Sequence, residues 1–169
     1  MTLKIDPKDF PDGSWVQNVI SFFQQEEPVA LPTETVYGLA APIDKPVALA
    51  KIFEIKQRPE FNPLILHVKK EWDLEKWVQW RSVIEQNLVE DFWPGPLSVL
   101  LKKTSLVPDI CTAASPYVVL RAPAHPVFQE LLDALQVPVA APSANTSTLT
   151  SPTSAERVIE DLSRSGLKA

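Results

Sequence analysis

Glycine is scarce in this chain, 4 of 169 residues. With so few, no glycine-rich phosphate cradle can form, and neither GxxxxGK[ST] nor GxGxxG occurs. Any bound nucleotide must therefore be held by side chains and by a loop of another geometry. Cysteine is scarcer still: Cys111 stands alone, which excludes an intrachain disulfide and a cysteine metal cluster. His67 and His125 are the only histidines, too few for a histidine-rich metal site. No apolar run approaches the roughly 18 residues of a membrane-spanning helix. The opening MTLKIDPKDF lacks the apolar core of a signal peptide, so a soluble, cytoplasmic protein is expected. Positive charge is not in surplus either. The net charge of −5 gives no global attraction to nucleic acid or to an anionic membrane. An anion site has to be a local gathering of Lys and Arg.

Proline is what the chain has in excess, with 17 residues. Pro28, Pro32, Pro63, Pro138 and Pro142 stand where apolar runs begin or end. Proline removes a backbone donor and favours extended structure just before it, so these residues punctuate strands and loops. The length suits one domain with a real core, residues 1–169.

Apolar periodicity then places the elements. Trp15, Val16, Val19, Ile20, Phe22 and Phe23 recur at helical spacing after Asp12-Gly13-Ser14. Residues 28–31 predict a short strand. Asp44 is expected to cap a second helix with Pro46 in its first turn and Ala48, Ile52 and Ile55 on one face. The continuous apolar run 64–68 predicts a strand covered on both sides. Residues 71–92 predict helix in two pieces, the second carrying Ile84, Leu88 and Phe92. Strands follow at 97–101, 117–120 and 137–141, with an amphipathic helix behind Pro126. Thr153 and Glu156 form a capping box for a last helix holding Val158 and Leu162. Gly38 reads as a permissive turn after Tyr37. Strands alternating with helices make an α/β fold around a central sheet.

Four polar islands sit at the ends of these strands, where α/β sheets collect their sites. In PTETVYGL, Thr33, Glu34 and Thr35 interrupt an apolar context; they either cap the next element or line a site. Lys56 and Arg58 end a helix, where they either offset its dipole or offer a fork and a point charge to phosphates. Pro59 and Pro63 stiffen the loop around Asn62. His67 lies in an apolar strand, as a core residue or a hydrogen-bonding group facing a site. Arg121 ends another strand, paired structurally or clamping a ligand carboxylate. Ser143 and Asn145 open a donor-rich stretch that suits turns as well as phosphate or ribose oxygens. Trp72, Trp77 and Trp80 are expected to pack rather than to stack on bases, and Cys111 has no activating context.

In order and content the islands resemble the Sua5/YrdC/YciO family. The matching pieces are PTETVYGL at 32–39, IKQRP and NPLILHV across 55–68, FWPGPLSVLL at 92–101, LRAPAHP at 120–126, and PSANTS with SPT up to 153. The resemblance implies a YrdC-like twisted mixed sheet flanked by helices, with a large concave cavity. It implies threonylcarbamoyl-AMP synthesis: L-threonine, bicarbonate or CO2, and ATP with Mg2+ give threonylcarbamoyl-adenylate and pyrophosphate. A separate transferase complex would use that product on adenosine 37 of tRNA (t6A). By the same resemblance Lys56 and Arg58 hold the triphosphate with Asn62 nearby. Ser143 lies by threonine or the carbamate, and Asn145 and Thr153 by the nucleotide. Thr35, His67 and Arg121 surround threonine, Arg121 pairing its carboxylate. No metal ligand is identified among the side chains. Family members continue into a further segment, so the chain is expected to be one domain lacking it. An RNA-binding module for ribosome maturation, or an inactive YciO-like paralogue, are the competing readings.

Overall fold

The structure, a computed structural model, describes residues 4–164. The ends of the expected 1–169 domain, 1–3 and 165–169, lie outside the described residues. Seven strands form one sheet in the order β1-β2-β7-β3-β6-β5-β4. They are β1 (Val29–Leu31), β2 (Gly38–Pro42), β3 (Ile65–His67), β4 (Val78–Gln79), β5 (Val99–Lys103), β6 (Tyr117–Arg121) and β7 (Val139–Ala140). The sheet is mixed: β3 and β6 run parallel and the other pairs antiparallel.

Side chains alternate across a strand, and here the alternation sorts them into two cores. Leu39, Ala41, Leu66, Leu101, Leu120 and Ala140 point to one face. There they meet Ala48, Leu49, Ile52 and Phe53 of α2 (Pro46–Lys56), with Cys111 of α4 (Asp109–Thr112) and Val158 and Leu162 of α6 (Ala155–Arg164). Leu31, Ala40, Val139 and Ala141 point to the other face. They pack under α1 (Trp15–Gln24) and α5 (Pro126–Leu135), through Trp15, Val19, Phe23, Phe128, Leu131 and Leu132. These two helices cover the β1-β2-β7 side, and Phe128 of α5 reaches His67 at the end of β3. Beyond it, on the same face by alternation, Leu100 is 54% exposed and Val119 and Arg121 are only partly buried. One face of the sheet is closed and the other half open, and the open half receives the polar strand residues.

Several expectations are corrected. Beyond the turn expected at Gly38 no strand is predicted over residues 38–42, yet all five residues of β2 are buried between β1 and β7. Gly38 is no left-handed turn: a Cβ there would lie 3.1 Å from that of Ala141, so glycine serves close approach of two backbones. Lys45, not Asp44, precedes α2, and no side chain caps it. Residues 71–92 divide into a 3-10 turn at Leu74–Lys76, strand β4 and helix α3 (Val83–Phe92). The helical period of α3 is real, but Ile84, Leu88 and Phe92 face solvent and Val89 is the residue it buries. Ser154 rather than Thr153 caps α6, its Oγ accepting from the Arg157 N–H at 3.3 Å. Trp72 and Trp77 pack ring against ring with centroids 5.6 Å apart.

The shortage of glycine shows in the turns. Glu26, Gln57, Ala113, Ala114, Gln136 and Thr148 all adopt positive φ, a region in which side chains are strained. Gln57 and Gln136 close α2 and α5 in this conformation, the role glycine usually fills.

Phe128 joins fold to site, since it is fully buried in the α1–α5 core and stacks on His67 with centroids 4.9 Å apart. Phe128→Ala is expected to cost about 3–5 kcal/mol. A urea midpoint that does not move would contradict this.

Candidate functional site

Helix α2 ends in a Schellman-type closure: Gln57 turns left-handed and the Arg58 N–H donates to Phe53 O at 2.8 Å. The two cations thereby diverge. Lys56 turns inward and is 1% exposed, its Nζ donating to the backbone oxygens of Ser143 and, at 2.5 Å, Asn145. The Ser147 N–H returns a bond to Lys56 O at 2.8 Å. Burial, and then the neighbouring Arg58 charge, push the ammonium pKa down to about 8. Arg58 turns the other way, over the loop it opens, donating from Nε to Asn62 O at 3.3 Å and from Nη2 to Pro63 O at 2.9 Å. Burial lowers its pKa too.

The loop that Lys56 grips is drawn tight by Asn145, whose Nδ2 donates to Thr146 O at 2.8 Å and Leu149 O at 2.7 Å. Asn145 Oδ1 is buried without a partner among the described residues. At the loop's start, Ser143 bridges to Gly38 across the close approach described above.

The turn before β2 is built on Thr33, whose Oγ1 accepts from the N–H groups of Thr35 and Val36 at 3.1 Å. This turn presents Glu34 and Thr35 to Arg121. Arg121 Nη2 donates to Glu34 Oε1 at 2.5 Å and to Thr35 Oγ1 at 3.0 Å. The other carboxylate oxygen accepts from the Ala124 N–H at 2.9 Å. Burial alone would raise the Glu34 pKa, but hydrogen bonds from Arg121 and the backbone, with the Arg121 charge, hold it below the usual value. The open question over PTETVYGL thus has a structural answer: Glu34 is the partner of Arg121.

His67 and Arg121 are register partners at the ends of the parallel strands β3 and β6. His67 is 3% exposed, its Nδ1 without a partner among the described residues, and burial followed by the Arg121 charge pushes its pKa down to about 4. At neutral pH it is therefore a neutral imidazole. Arg121 Nε is likewise buried and has no partner among the described residues. Cys111, by contrast, is buried in the far core with its thiol pushed up to about 12, the state of an inert thiol.

Thr35, Arg58, His67, Arg121 and Ser143 line one hollow of about 260 Å³ on the half-open face, with Gly38, Ile65 and Pro142 among its walls. Lys56 and Asn145 stand behind it, shaping the loop that forms its rim. Asn62 contributes its backbone oxygen to Arg58 but no hollow lining. Thr153 is elsewhere: it lines a more apolar hollow of about 800 Å³ bounded by α1, β1 and α6. Sequence reasoning missed the role of Phe128 as the floor beneath His67. It also left Glu34 open; its only signal was an acidic residue set between threonines at a strand end.

Two guanidinium groups stand beside hydroxyls and a neutral imidazole, in an α/β domain whose sheet carries no glycine-rich phosphate loop. The chain belongs to the Sua5_yciO_yrdC family, described as "Telomere recombination", which residues 21–166 match. It is 39% identical over 161 residues to the threonylcarbamoyl-AMP synthase of Pyrococcus abyssi, covering 95% of this chain and 47% of that protein. It is 40% identical over 149 residues to the Bacillus subtilis threonylcarbamoyl-AMP synthase, covering 87% of this chain and 43% of that one. The fold superposes on the crystal structure of P. abyssi Sua5 complexed with L-threonine, with a TM-score of 0.83, 38% identity, and coverage of 94% of this chain and 45% of the other. The chain thus spans about half the length of these relatives.

The site makes two expectations testable. His67 has a pKa of about 4 in the fold against about 6.5 ordinarily. Between these values the unfolded chain binds more protons, so this contribution is full above about pH 6.5. It falls away toward pH 4, by about 3 kcal/mol in all. Urea titrations across that range are expected to show a shallower decline in His67→Gln than in wild type; equal slopes would exclude His67 as the source. Lys56→Met leaves two backbone oxygens without their donor and is expected to cost about 2–4 kcal/mol. Amide hydrogen exchange should then rise at Asn145 and Ser147. An unchanged loop would mean that the ammonium does not hold it.

Proposed function

We propose that this domain forms threonylcarbamoyl-adenylate from L-threonine, bicarbonate and ATP. The observation that carries the reading is the placement of Arg58 and Arg121 on the walls of one hollow, together with Thr35, His67 and Ser143. The substrates suit that pattern, since threonine brings a carboxylate and ATP a triphosphate. The threonine complex of the P. abyssi relative supports the assignment of the amino acid.

In this reading Arg121 takes the threonine carboxylate, while Thr35 and His67 offer hydrogen bonds to its other polar groups. The threonine amine condenses with bicarbonate, losing water, to give a carbamate. A carbamate oxygen then attacks the α-phosphorus of ATP, the bond to the β-phosphate oxygen breaks, and pyrophosphate leaves. Arg58 meets the negative charge gathering on the phosphates, and donors fixed in advance are the strongest way to stabilise it. Lys56 acts indirectly, by fixing the Ser143–Asn145 loop against the reacting groups. Asn145 and Asn62 serve the nucleotide side, and Thr153 joins them only if the nucleotide reaches past Tyr37, whose N–H binds Pro152 O at 2.8 Å.

The side chains lining the hollow offer Mg2+ no carboxylate. The hollow holds hydroxyls, an imidazole and two guanidinium groups, and among the described residues no group of three or more His, Cys, Asp or Glu could hold a metal. Mg2+ enters this proposal only as the counter-ion of ATP. The adenylate would pass to a transferase that modifies tRNA in the cytoplasm. No helix among the described residues is long and apolar enough to cross a membrane.

Pyrophosphate release from ATP and bicarbonate by the purified protein is expected to depend on L-threonine. It should fall about 100-fold or more in Arg58→Ala. Release indifferent to threonine would overturn the substrate, and an active Arg58→Ala would overturn the phosphate role.

A further inference from the structure

We propose that Glu34 is a positioning residue for the amino-acid carboxylate, acting through Arg121. The proposal rests on reading the hollow as the L-threonine site. Glu34 does not line the hollow, and any influence on a ligand there must pass through its partner. An arginine at a strand end has a long, flexible stem, and carboxylate recognition by its planar fork depends on the angle at which that fork is held.

Here the angle is set from both sides. Glu34 Oε1 and Thr35 Oγ1 both accept from Nη2, and this nitrogen has two protons, so its donors are fully used. Glu34 is itself fixed, because Oε2 accepts from the N–H of Ala124, three residues beyond Arg121 on the same chain segment. The ion pair is shielded, with side-chain exposures of 12% for Arg121 and 21% for Glu34. The donors left to Arg121 are Nε–H and the Nη1 group. Nε is buried and has no partner among the described residues, and the same holds for Nδ1 of His67, the register partner of Arg121. Both residues line the hollow. Two unsatisfied polar atoms on adjacent strand ends form the place where a small polar ligand gains most from binding. By saturating Nη2, Glu34 directs the incoming carboxylate to the remaining donors on the His67 side.

The opposite role is also a chemical possibility that the experiment separates. Glu34 could occupy Arg121 as a competing carboxylate, which a ligand would have to displace. Glu34→Gln keeps the length and the acceptor for Ala124 while removing the charge. Titration calorimetry with L-threonine should show affinity weakened about 10-fold in this variant. In steady-state assays KM for threonine should rise by the same factor, with KM for ATP and kcat at saturating threonine within about 2-fold of wild type. In an Arg121→Lys background the same substitution should change threonine affinity less than 2-fold, since the fork it steers is gone. This cycle also covers the case in which one variant folds poorly.

Unchanged or tighter threonine binding in Glu34→Gln would overturn the proposal, tighter binding pointing to the competitor role. Equal effects on threonine and ATP would also overturn it, as a general structural role would produce. If wild type itself binds no L-threonine, the reading of the hollow falls instead, so the two failures are distinct.

Discussion

A buried ammonium cannot stand without compensation, and the position of Lys56 makes that requirement an organising force. Its charge lies in the protein interior, where desolvation is costly and only close oxygen partners offset it. Those partners are backbone oxygens of a loop 87 and 89 residues further along the chain. The need to satisfy one cation therefore ties the end of α2 to the strand exit after β7. With the loop in place, Ser143 can bridge to Gly38, and the turn bearing Thr35 is brought to the same rim. Arg58, two residues away, is left to face outward because the left-handed Gln57 between them reverses the direction of the chain.

The electrostatics of the hollow run against those of the whole molecule. The chain is net negative, yet the site concentrates two guanidinium groups and keeps its imidazole neutral. Arg121 contributes to that neutrality, as its charge adds to burial in lowering the His67 pKa. A second positive charge on the imidazole would crowd Arg121; a neutral ring can donate or accept without doing so. Glu34 balances Arg121 from behind, while Arg58 donates to the backbone oxygens of Asn62 and Pro63.

Much of this was legible in the residues. Strong periodicity located α1 and α5, and the strands ending in His67 and Arg121 were evident from their apolar runs. The islands at strand ends marked five of the residues that line the hollow. β2 was hidden because Gly-Leu-Ala-Ala-Pro has little intrinsic preference for a strand and is held there by burial between its neighbours. α3 was found with its apolar residues Ile84, Leu88 and Phe92, which the fold leaves exposed; a period reveals a face and not what covers it. Lys56 was recognised as a cation near phosphate chemistry, whereas its inward turn depends on a loop far along the chain. The same distance concealed Glu34, whose partner lies 87 residues away.

The left-handed residues carry a consequence for how this sequence can change. Each of these left-handed residues other than glycine holds local strain that no side-chain contact is needed to explain. Replacement by glycine at such a place relaxes the backbone while also freeing the unfolded chain, so the two effects oppose each other. At Ala113 and Ala114, which do not line the hollow, little side chain would be lost, and that turn is neutral ground for drift. Gln57 differs, since it separates the inward ammonium from the outward guanidinium. Slack introduced there would spread to both cations, so that turn couples the conformational freedom of the backbone to the fidelity of anion recognition.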